Sequence, residues 1–341
     1  MSTLYVGLDI GSSSFHQLII LPDGSTTINR RCQMSEANLH TAFAGLGADV
    51  HVHLEAGELA PWVRSIIAPA VKRVVIFHPQ TNAWIAKDPN KGDRIDAFKL
   101  ADLLRMNRFT EVYYATDEAR RSFKQLVQHY DELTGQQARI QCRIKARLRV
   151  QGIIRRDASL FSTAGREPVL QQVTSADLRA ALTQLYDLLD QAREAQRQAR
   201  ELMLRAARAF PEIKLLQTAP GVGPIGACRF SAYVQTPYRF SSKRKLWRYC
   251  RLSISFRSSD GKPLRYPKLD RAGCGRLKDV SRKAFEAARQ TKSDNLFKRA
   301  YHEALGRTHN ETHARLSVQR KIVSTLRKMW LTMSPYRDEL S

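Results

Sequence analysis

The sequence predicts an α/β domain at the N-terminus and a mainly α-helical region after it. Short apolar or alternating segments typical of β-strands occur in the first 110 residues, whereas apolar residues at helical spacing dominate the rest of the chain. The charge is also unevenly distributed. Residues 1–110 contain 11 Lys and Arg against 10 Asp and Glu, and the rest contains 45 against 22. The two regions therefore differ in both predicted architecture and charge.

The N-terminal region begins with three predicted strands, and the turn after the second strand is Pro-Asp-Gly. These strands are LYVGLDI, SFHQLIILPDG and STTINRRC. A helix over 35–46, the strand DVHVHLEA, a helix near 61–68, the strand RVVIF and the helix DRIDAFKLADLLRMNR follow. A three-strand meander followed by alternating helices and strands is the element order of the ribonuclease H fold.

Four carboxylates lie where this fold brings strand ends and a late helix together. Asp9 ends the first strand and Glu55 ends the fourth, whereas Asp93 and Asp96 begin the last helix. Taken singly, such residues also suit an N-cap or the first turn of a helix. Carboxylates that converge on one point repel each other unless a cation lies between them, and Mg²⁺ prefers oxygen ligands and acts on phosphate esters. We therefore predict one magnesium site formed by all four.

Residues 111–205 have the spacing of long amphipathic helices. Apolar residues recur at helical intervals on both sides of a turn-rich break at 156–168, and they include Phe123, Leu126, Tyr130, Leu133, Ile144, Leu148, Leu178, Leu182, Leu185, Leu189 and Ala192. This pattern predicts an antiparallel coiled-coil hairpin, with a plain helical bundle as the alternative. The predicted domains are therefore 1–110, 111–205 and 206–341.

The region 206–341 is predicted to be mainly α-helical, with helices near 275–290, 294–305 and 313–333. Its segment TAPGVGPIGACRFSAYV contains the Pro-Gly-x-Gly-Pro turn of a helix-hairpin-helix, whose backbone N–H groups can approach a DNA phosphate. The segment SSKRKLWRYCR follows. We predict that its cations Lys243, Arg244 and Lys245 contact nucleic acid.

Two adjacent serines lie in the basic segment ISFRSSDGKPLRYPK. Cations that could bind a phosphodiester flank Ser258 and Ser259, and they are Arg257, Lys262, Arg265 and Lys268. Because no histidine lies nearby in the sequence, a nucleophilic serine would need activation by the metal site or by a cation. A serine in such a segment is otherwise an ordinary loop residue.

The net charge of +24 and the pI of about 10.2 predict a polyanionic partner. No apolar run approaches the roughly 20 residues of a membrane span, and the N-terminus lacks the pattern of a signal peptide. The five cysteines are odd in number and include no CxxC pair, which is typical of reduced thiols. We therefore expect a cytoplasmic protein that binds nucleic acid and no membrane.

Two further motifs have alternative interpretations. GLDIGSSS also fits the first phosphate loop of sugar kinases, actin and Hsp70-type ATPases, but no second phosphate loop or Gly-rich adenosine loop follows in the sequence. His51 and His53 alternate along a strand, and His309 and His313 are one helical turn apart. Neither pair has a third metal ligand nearby in the sequence, so neither predicts a zinc site.

Motifs along nearly the whole chain resemble those of the DEDD transposases of the insertion sequence 110 family. GLDIGSSS, HLEAGELAPWV and KGDRIDAFKLADLL resemble the three acidic motifs of that family, in which Asp9, Glu55, Asp93 and Asp96 take the four acidic places. TAPGVGPIGA resembles its glycine turn and FRSSDGKP its serine loop. Aligned without gaps, Ser259 takes the nucleophile position and Ser258 the place just before it.

The chain departs from the pattern of this family at two places. Residues 251–254 read Arg-Leu-Ser-Ile where the family usually has Gly-Leu-x-Pro. Gly57 follows Glu55 without the common threonine between them. The acidic motifs are specific enough to identify the family despite both departures.

The resemblance implies an RNA-guided, site-specific DNA recombinase that acts at the nucleoid of a prokaryotic cell. In that family the acids of a RuvC-like domain hold Mg²⁺, and the serine attacks a DNA phosphate to form a phosphoserine bond. A noncoding bridge RNA pairs with donor and target DNA and selects both. Dimers that assemble into tetramers give a composite active site, with the acids of one subunit beside the serine of another.

Two other functions are alternatives at the level of sequence. A metal-dependent, junction-resolving or structure-specific nuclease would use the same acids and the same basic surface, but it would leave free DNA ends. A nucleic-acid-binding scaffold with a dead site would need neither Mg²⁺ nor Asp9 for any of its activities.

Overall fold

The computed structural model describes residues 2–77, 92–109, 111–256 and 268–338, together with the backbone of 258–259 and 262–263. The chain folds into two compact units, Met1–Tyr114 and Ala115–Ser341. The first unit combines a sheet with helices and the second is mostly helical. The predicted division into an α/β part and an α-helical part is therefore confirmed, whereas the finer division into three domains stays a prediction.

A five-stranded sheet forms the centre of the first unit. Its strands are β1 (Leu4–Ile10), β2 (Ser14–Ile20), β3 (Thr26–Gln33), β4 (Val50–Glu55) and β5 (Arg73–Phe77). Their order across the sheet is β3-β2-β1-β4-β5. β1, β2 and β3 pair antiparallel, whereas β4 pairs parallel with both β1 and β5. Each of these strands corresponds to a segment that the sequence predicts as a strand.

Helices cover both faces of this sheet. They are α1 (Glu36–Phe43), α2 (Ala60–Ile67) and α3 (Asp93–Arg105). Val6 and Leu8 of β1 pack in one core cluster with apolar residues of α1 and α2. Ala97 and Ala101 of α3 pack in a separate cluster that Tyr5 contacts. Because side chains alternate along a strand, the odd-numbered positions of β1 face α3.

Gly7 allows α3 to lie directly on β1. A Cβ atom at this position would lie 1.8 Å from the carbonyl oxygen of Ala97 and 2.7 Å from the amide nitrogen of Ala101. Only glycine avoids this overlap with helix backbone. The close approach brings the first turn of α3 near the end of β1.

The second unit contains nine helices of six or more residues in its described part. They are α4 (Glu118–Val150), α5 (Thr163–Leu170), α6 (Ala176–Ala206), α7 (Pro211–Leu216), α8 (Pro224–Val234), α9 (Lys243–Tyr249), α10 (Gly275–Gln290), α11 (Leu296–Thr308) and α12 (Glu311–Thr332). Within the described residues, no helix is both long enough and apolar enough to cross a membrane.

The two long helices α4 and α6 pack against each other in antiparallel directions. The amide of Gln196 on α6 donates to the hydroxyl of Thr134, and Gln137 on α4 donates to the carbonyl of Ala192. Later residues of α4 thus meet earlier residues of α6. The predicted helical hairpin is present, and coiled-coil packing along it stays a prediction.

The hairpin is rooted in the main core of the second unit. Phe123 on α4 and Met203 on α6 are buried in one cluster with apolar residues of α7 to α12. The far end of the hairpin has its own cluster, which includes Ile144, Leu160 and Leu189. The base of the long helices and the C-terminal helices therefore share one core.

Candidate functional site

Asp9 and Glu55 lie side by side at one end of the sheet. The parallel pairing of β1 with β4 runs up to the residues just before them, so each acid is the next residue of its strand. Gly7 and His53, two positions earlier, both meet α3. Because side chains alternate along strands, Asp9 and Glu55 lie on the sheet face that α3 covers.

His53 connects β4 to α3 beside the two acids. Its ring is buried against those of Phe77 and Phe109, with centroids 4.7 and 5.2 Å away, and its Nδ1 atom lies 2.7 Å from the carbonyl oxygen of Leu100. Burial lowers the pKa of His53 to about 4, so the neutral ring donates to that carbonyl at neutral pH. His53 therefore positions α3 through packing and this hydrogen bond.

The first turn of α3 contributes Asp93 and Asp96. Gly92 is the N-cap and no side chain caps this helix, so the alternative role of Asp93 as an N-cap does not apply. Asp93 is exposed, and its carboxylate lies 4.0 Å from Nε of Arg31. Asp96 is half-buried, and its Oδ1 atom is buried without a hydrogen-bond partner in the described part of the chain. An unsatisfied buried carboxylate oxygen is unfavourable unless it binds a further group.

The four acids interact electrostatically. Burial is the main cause that raises the pKa of Asp9 to about 6, and the charges of Asp93, Asp96 and Glu55 raise it as well. His16 opposes this shift. Like charges that share a site disfavour each other's ionisation, so positive charge at this end of the sheet would stabilise the ionised acids.

The donor set suits a hard cation such as Mg²⁺. All four side chains offer carboxylate oxygens, and Oδ1 of Asp96 needs a partner. In the described ranges, however, no three His, Cys, Asp or Glu side chains are already placed to hold one metal ion. The backbone thus brings the acids together, and the binding of one ion by all four stays a prediction.

Ser258 and Ser259 lie on a short β-hairpin in the second unit. They form β7 (Ser258–Ser259), which pairs antiparallel with β8 (Lys262–Pro263), and Ser259 is opposite Lys262. The strands β6 (Ile254–Ser255) and β9 (Lys268–Leu269) pair on either side of this hairpin in the chain. The described parts of this segment therefore form two short antiparallel ladders where the sequence indicates a loop.

Several predicted site residues on this segment lie outside the described residues. They are Arg257 and Arg265, together with the side chains of Ser258, Ser259 and Lys262. Lys268 is described, and it is exposed on β9 opposite Ser255.

Lys243, Arg244 and Lys245 form the first turn of α9, and all three are exposed. Ser242 caps this helix, because its hydroxyl accepts a hydrogen bond from the amide of Lys245. Positive charge in a first turn is disfavoured by the helix dipole, and this turn contains no acid. These predicted nucleic-acid contacts therefore lie on an exposed surface whose positive charge the helix does not stabilise.

The predicted glycine turn connects α7 to α8, and its glycines Gly221 and Gly223 have different roles. Gly221 has φ of +77°, and a Cβ atom there would lie 2.0 Å from the carbonyl oxygen of Ala284 on α10. Gly223 is the N-cap of α8, and a Cβ atom there would meet no atom within 4 Å. Packing on α10 thus requires Gly221, whereas the backbone at Gly223 is open to an approaching phosphate.

Sequence reasoning missed four cations of α12. Together with Lys243 they line one groove, and they are Arg320, Lys321, Arg327 and Lys328. Two dibasic pairs seven residues apart fall on one face of a helix, and this spacing is the signal that could have identified them.

Two family models match parts of the chain. The model of the DEDD transposases of IS110, described as "Transposase", matches residues 6–151, which include all four acids. The model described as "Transposase IS116/IS110/IS902 family" matches residues 213–302, which include the serine hairpin and α9. The chain belongs to the IS110 family of transposases.

This transposase therefore acts on DNA in the recombination of an insertion sequence. Among curated proteins, none matches it.

Proposed function

We propose that this transposase exchanges DNA strands through a covalent phosphoserine at Ser259, with Mg²⁺ held by Asp9, Glu55, Asp93 and Asp96. The observation that carries the proposal is the interaction among the four acids, which contributes to the raised pKa of Asp9. The sheet order β3-β2-β1-β4-β5, with α3 on one face, supports a RuvC-like fold for the first unit. The match over residues 213–302 supports the serine segment as part of the machinery.

The proposed reaction conserves the phosphate ester. The hydroxyl oxygen of Ser259 attacks the DNA phosphorus and forms a P–O bond, as the bond from phosphorus to one DNA oxygen breaks. The serine proton ends on the released DNA hydroxyl. A hydroxyl of a second strand can then reverse the step and rejoin the DNA without ATP. Bound Mg²⁺ would neutralise charge that develops on the phosphate.

We also infer from the family resemblance that a noncoding bridge RNA selects the DNA sites and that dimers assemble into tetramers. The excess of 45 Lys and Arg over 22 Asp and Glu after residue 110 supports binding of nucleic acid by this part of the chain. Such an excess suits RNA as well as DNA.

The test combines the purified protein, Mg²⁺, the RNA from its own element and matching labelled DNA. Denaturing gels should show DNA attached to the wild-type protein and to Ser258→Ala, but none attached to Ser259→Ala. Asp9→Asn should lose the adduct as well. If Ser258→Ala loses the adduct and Ser259→Ala keeps it, the nucleophile is Ser258. Cleavage with free ends and no adduct would instead indicate the structure-specific nuclease.

A further inference from the structure

A groove lined by cations lies between α9 and α12. Its volume is about 530 Å³, and its lining contains no Asp or Glu. The cations that line it are Lys243, Arg320, Lys321, Arg327 and Lys328. Ser317, Ser324 and Thr325 also line the groove. The groove thus combines positive charge with hydrogen-bonding groups, as sites for phosphate do.

These cations differ from several arginines of the second unit that lie beside carboxylates. Arg197 lies 2.6 Å from Glu194, and Arg282 lies 2.6 Å from Asp279. Over the ranges that the structure describes, none of the five cations of the groove forms such an ion pair. Their positive charge is therefore open to an external anion.

Backbone carbonyls hold two of these arginines in place. Nε of Arg320 donates to the carbonyl of Leu252 at 2.8 Å, and a terminal nitrogen of Arg327 donates to that of Phe240 at 2.6 Å. A carbonyl orients a guanidinium group without cancelling its charge. The groove is therefore positioned by the fold and remains positively charged.

Crowding makes this charge unfavourable in the protein alone. Burial lowers the pKa of Lys321, and the charges of Lys243 and Lys328 lower it as well, whereas Glu303 opposes them. Burial also lowers the pKa of Arg320. A bound polyanion would relieve this repulsion.

Trp247 is the one aromatic residue in the lining, and its interactions within the protein already occupy it. Its indole N–H lies 2.8 Å from the hydroxyl of Ser324 and 3.1 Å from the carbonyl of Arg320. The guanidinium carbon of Arg320 lies 5.5 Å from the ring centroid. Proteins that bind single-stranded nucleic acid stack its bases on free aromatic faces, and the described lining of this groove contains no free aromatic face. Contacts to phosphates of a duplex suit it better.

We propose that the groove between α9 and α12 binds the phosphate backbone of duplex DNA without reading its sequence. The groove adds four α12 cations to the predicted contact at Lys243, and it is separate from the serine chemistry. Because the proposal concerns binding alone, it is tested without Mg²⁺ and without strand cleavage. A failure of the phosphoserine mechanism would leave it unchanged.

The test measures the affinity of the full-length protein for a short labelled DNA duplex of unrelated sequence, by fluorescence anisotropy in EDTA at several salt concentrations. The variant replaces Lys243, Lys321 and Lys328 with Gln. Each phosphate contact contributes about 0.9 to the slope of log affinity against log salt, so the slope should fall by about 2 to 3. Thermal unfolding checks that this triple variant is folded. The single variant Lys328→Gln should lower the slope by about 1.

The matched control replaces Arg208, Lys214 and Lys292 with Gln, which removes the same net charge from exposed positions outside the groove. The proposal holds if the slope of log affinity against log salt falls for the groove variant and stays unchanged for the control. Equal changes in both variants, or no change in either, would overturn it. A duplex RNA of the same sequence provides the other comparison. A loss confined to RNA would overturn the assignment to DNA.

Discussion

Two clusters of charge in this transposase are built in opposite ways. At the end of the sheet in the first unit, burial and the charges of three other acids raise the pKa of Asp9 to about 6. In the core of the second unit, the carboxylate of Asp131 is buried. It accepts hydrogen bonds from Nε of Arg229 at 2.7 Å and from the hydroxyl of Tyr233 at 2.9 Å, and Nε of Arg276 lies 3.4 Å away. One cluster gathers like charges and the other neutralises them.

The difference separates charges that stabilise the fold from charges that suit an external ligand. Asp131 lies on α4, whereas Arg229 and Arg276 lie on α8 and α10, so the satisfied cluster holds the base of the long hairpin to the C-terminal helices. In the acid cluster, three carboxylates raise the pKa of a fourth, and the nearest described cation of Asp93 is Arg31, with Nε 4.0 Å from the carboxylate. It is therefore the cluster whose stability an added cation would change.

The largest effect is expected from breaking the satisfied cluster. Asp131→Asn keeps the size of the side chain but leaves the charge of Arg229 buried without its closest partner. Removing one member of a buried ion pair costs about 3–5 kcal/mol, and urea unfolding would measure this loss. Glu132→Gln on the same helix is the control, because Glu132 is exposed and its loss should change stability by less than about 0.5 kcal/mol. Equal stability of both variants would show that the cluster does not hold the hairpin.

A second variant tests the close approach that assembles the acid cluster. Gly7→Ala places a methyl group 1.8 Å from the carbonyl oxygen of Ala97, so α3 must move away from β1. We expect a loss of about 2 kcal/mol in the free energy of unfolding, together with a loss of strand exchange. Gly57→Ala is the matched control, because a Cβ atom there meets nothing within 4 Å. Normal stability and activity of Gly7→Ala would disprove the role given to Gly7.

Local patterns made the first unit predictable from sequence. Its strands are short apolar or alternating runs between turn residues, and Asp9 is the next-to-last residue of β1 and Glu55 the last of β4. The fold places the ends of these two strands side by side, and the order of the predicted strands was sufficient to anticipate this. The N-cap was harder to predict: the sequence offered Asp93 for that role, whereas the helix begins after Gly92.

Contacts between distant segments were not predictable in this way. Asp131 and Arg229 are 98 residues apart, and neither stands in a motif that suggests a buried pair. The packing role of Gly221 depends on the carbonyl of Ala284, which no local pattern reveals. The groove required α9 and α12 to be adjacent, so its cations resembled an ordinary solvated helix face in the sequence. Tertiary contacts therefore account for most of what the sequence left out.

The smallest effect is expected from relieving the acid cluster. Asp9→Asn removes a charge that burial and three neighbouring acids make unfavourable, so in EDTA at pH 7 it should stabilise the protein while it abolishes strand exchange. A shift of the pKa from 3.8 to about 6 corresponds to about 3 kcal/mol. Because Asp9 is only half-buried, solvent screening reduces the expected gain to about 1 kcal/mol. Urea unfolding of both proteins would measure it, and a destabilised Asp9→Asn would contradict the penalty assigned to the ionised Asp9.

The dependence of this gain on pH distinguishes the cost of the Asp9 charge from a packing effect. Asp9 ionises near 3.8 in the unfolded chain and near 6 in the folded protein, so the folded state binds more protons between these values. The penalty in the wild type is therefore absent below pH 3.8 and complete above about pH 6. The advantage of Asp9→Asn should grow as the pH rises from 3.8 to about 6, whereas a packing effect would stay constant. Adding Mg²⁺ at pH 7 should stabilise the wild type more than Asp9→Asn, because a ligand that binds only the folded state stabilises it by an amount that increases with its affinity.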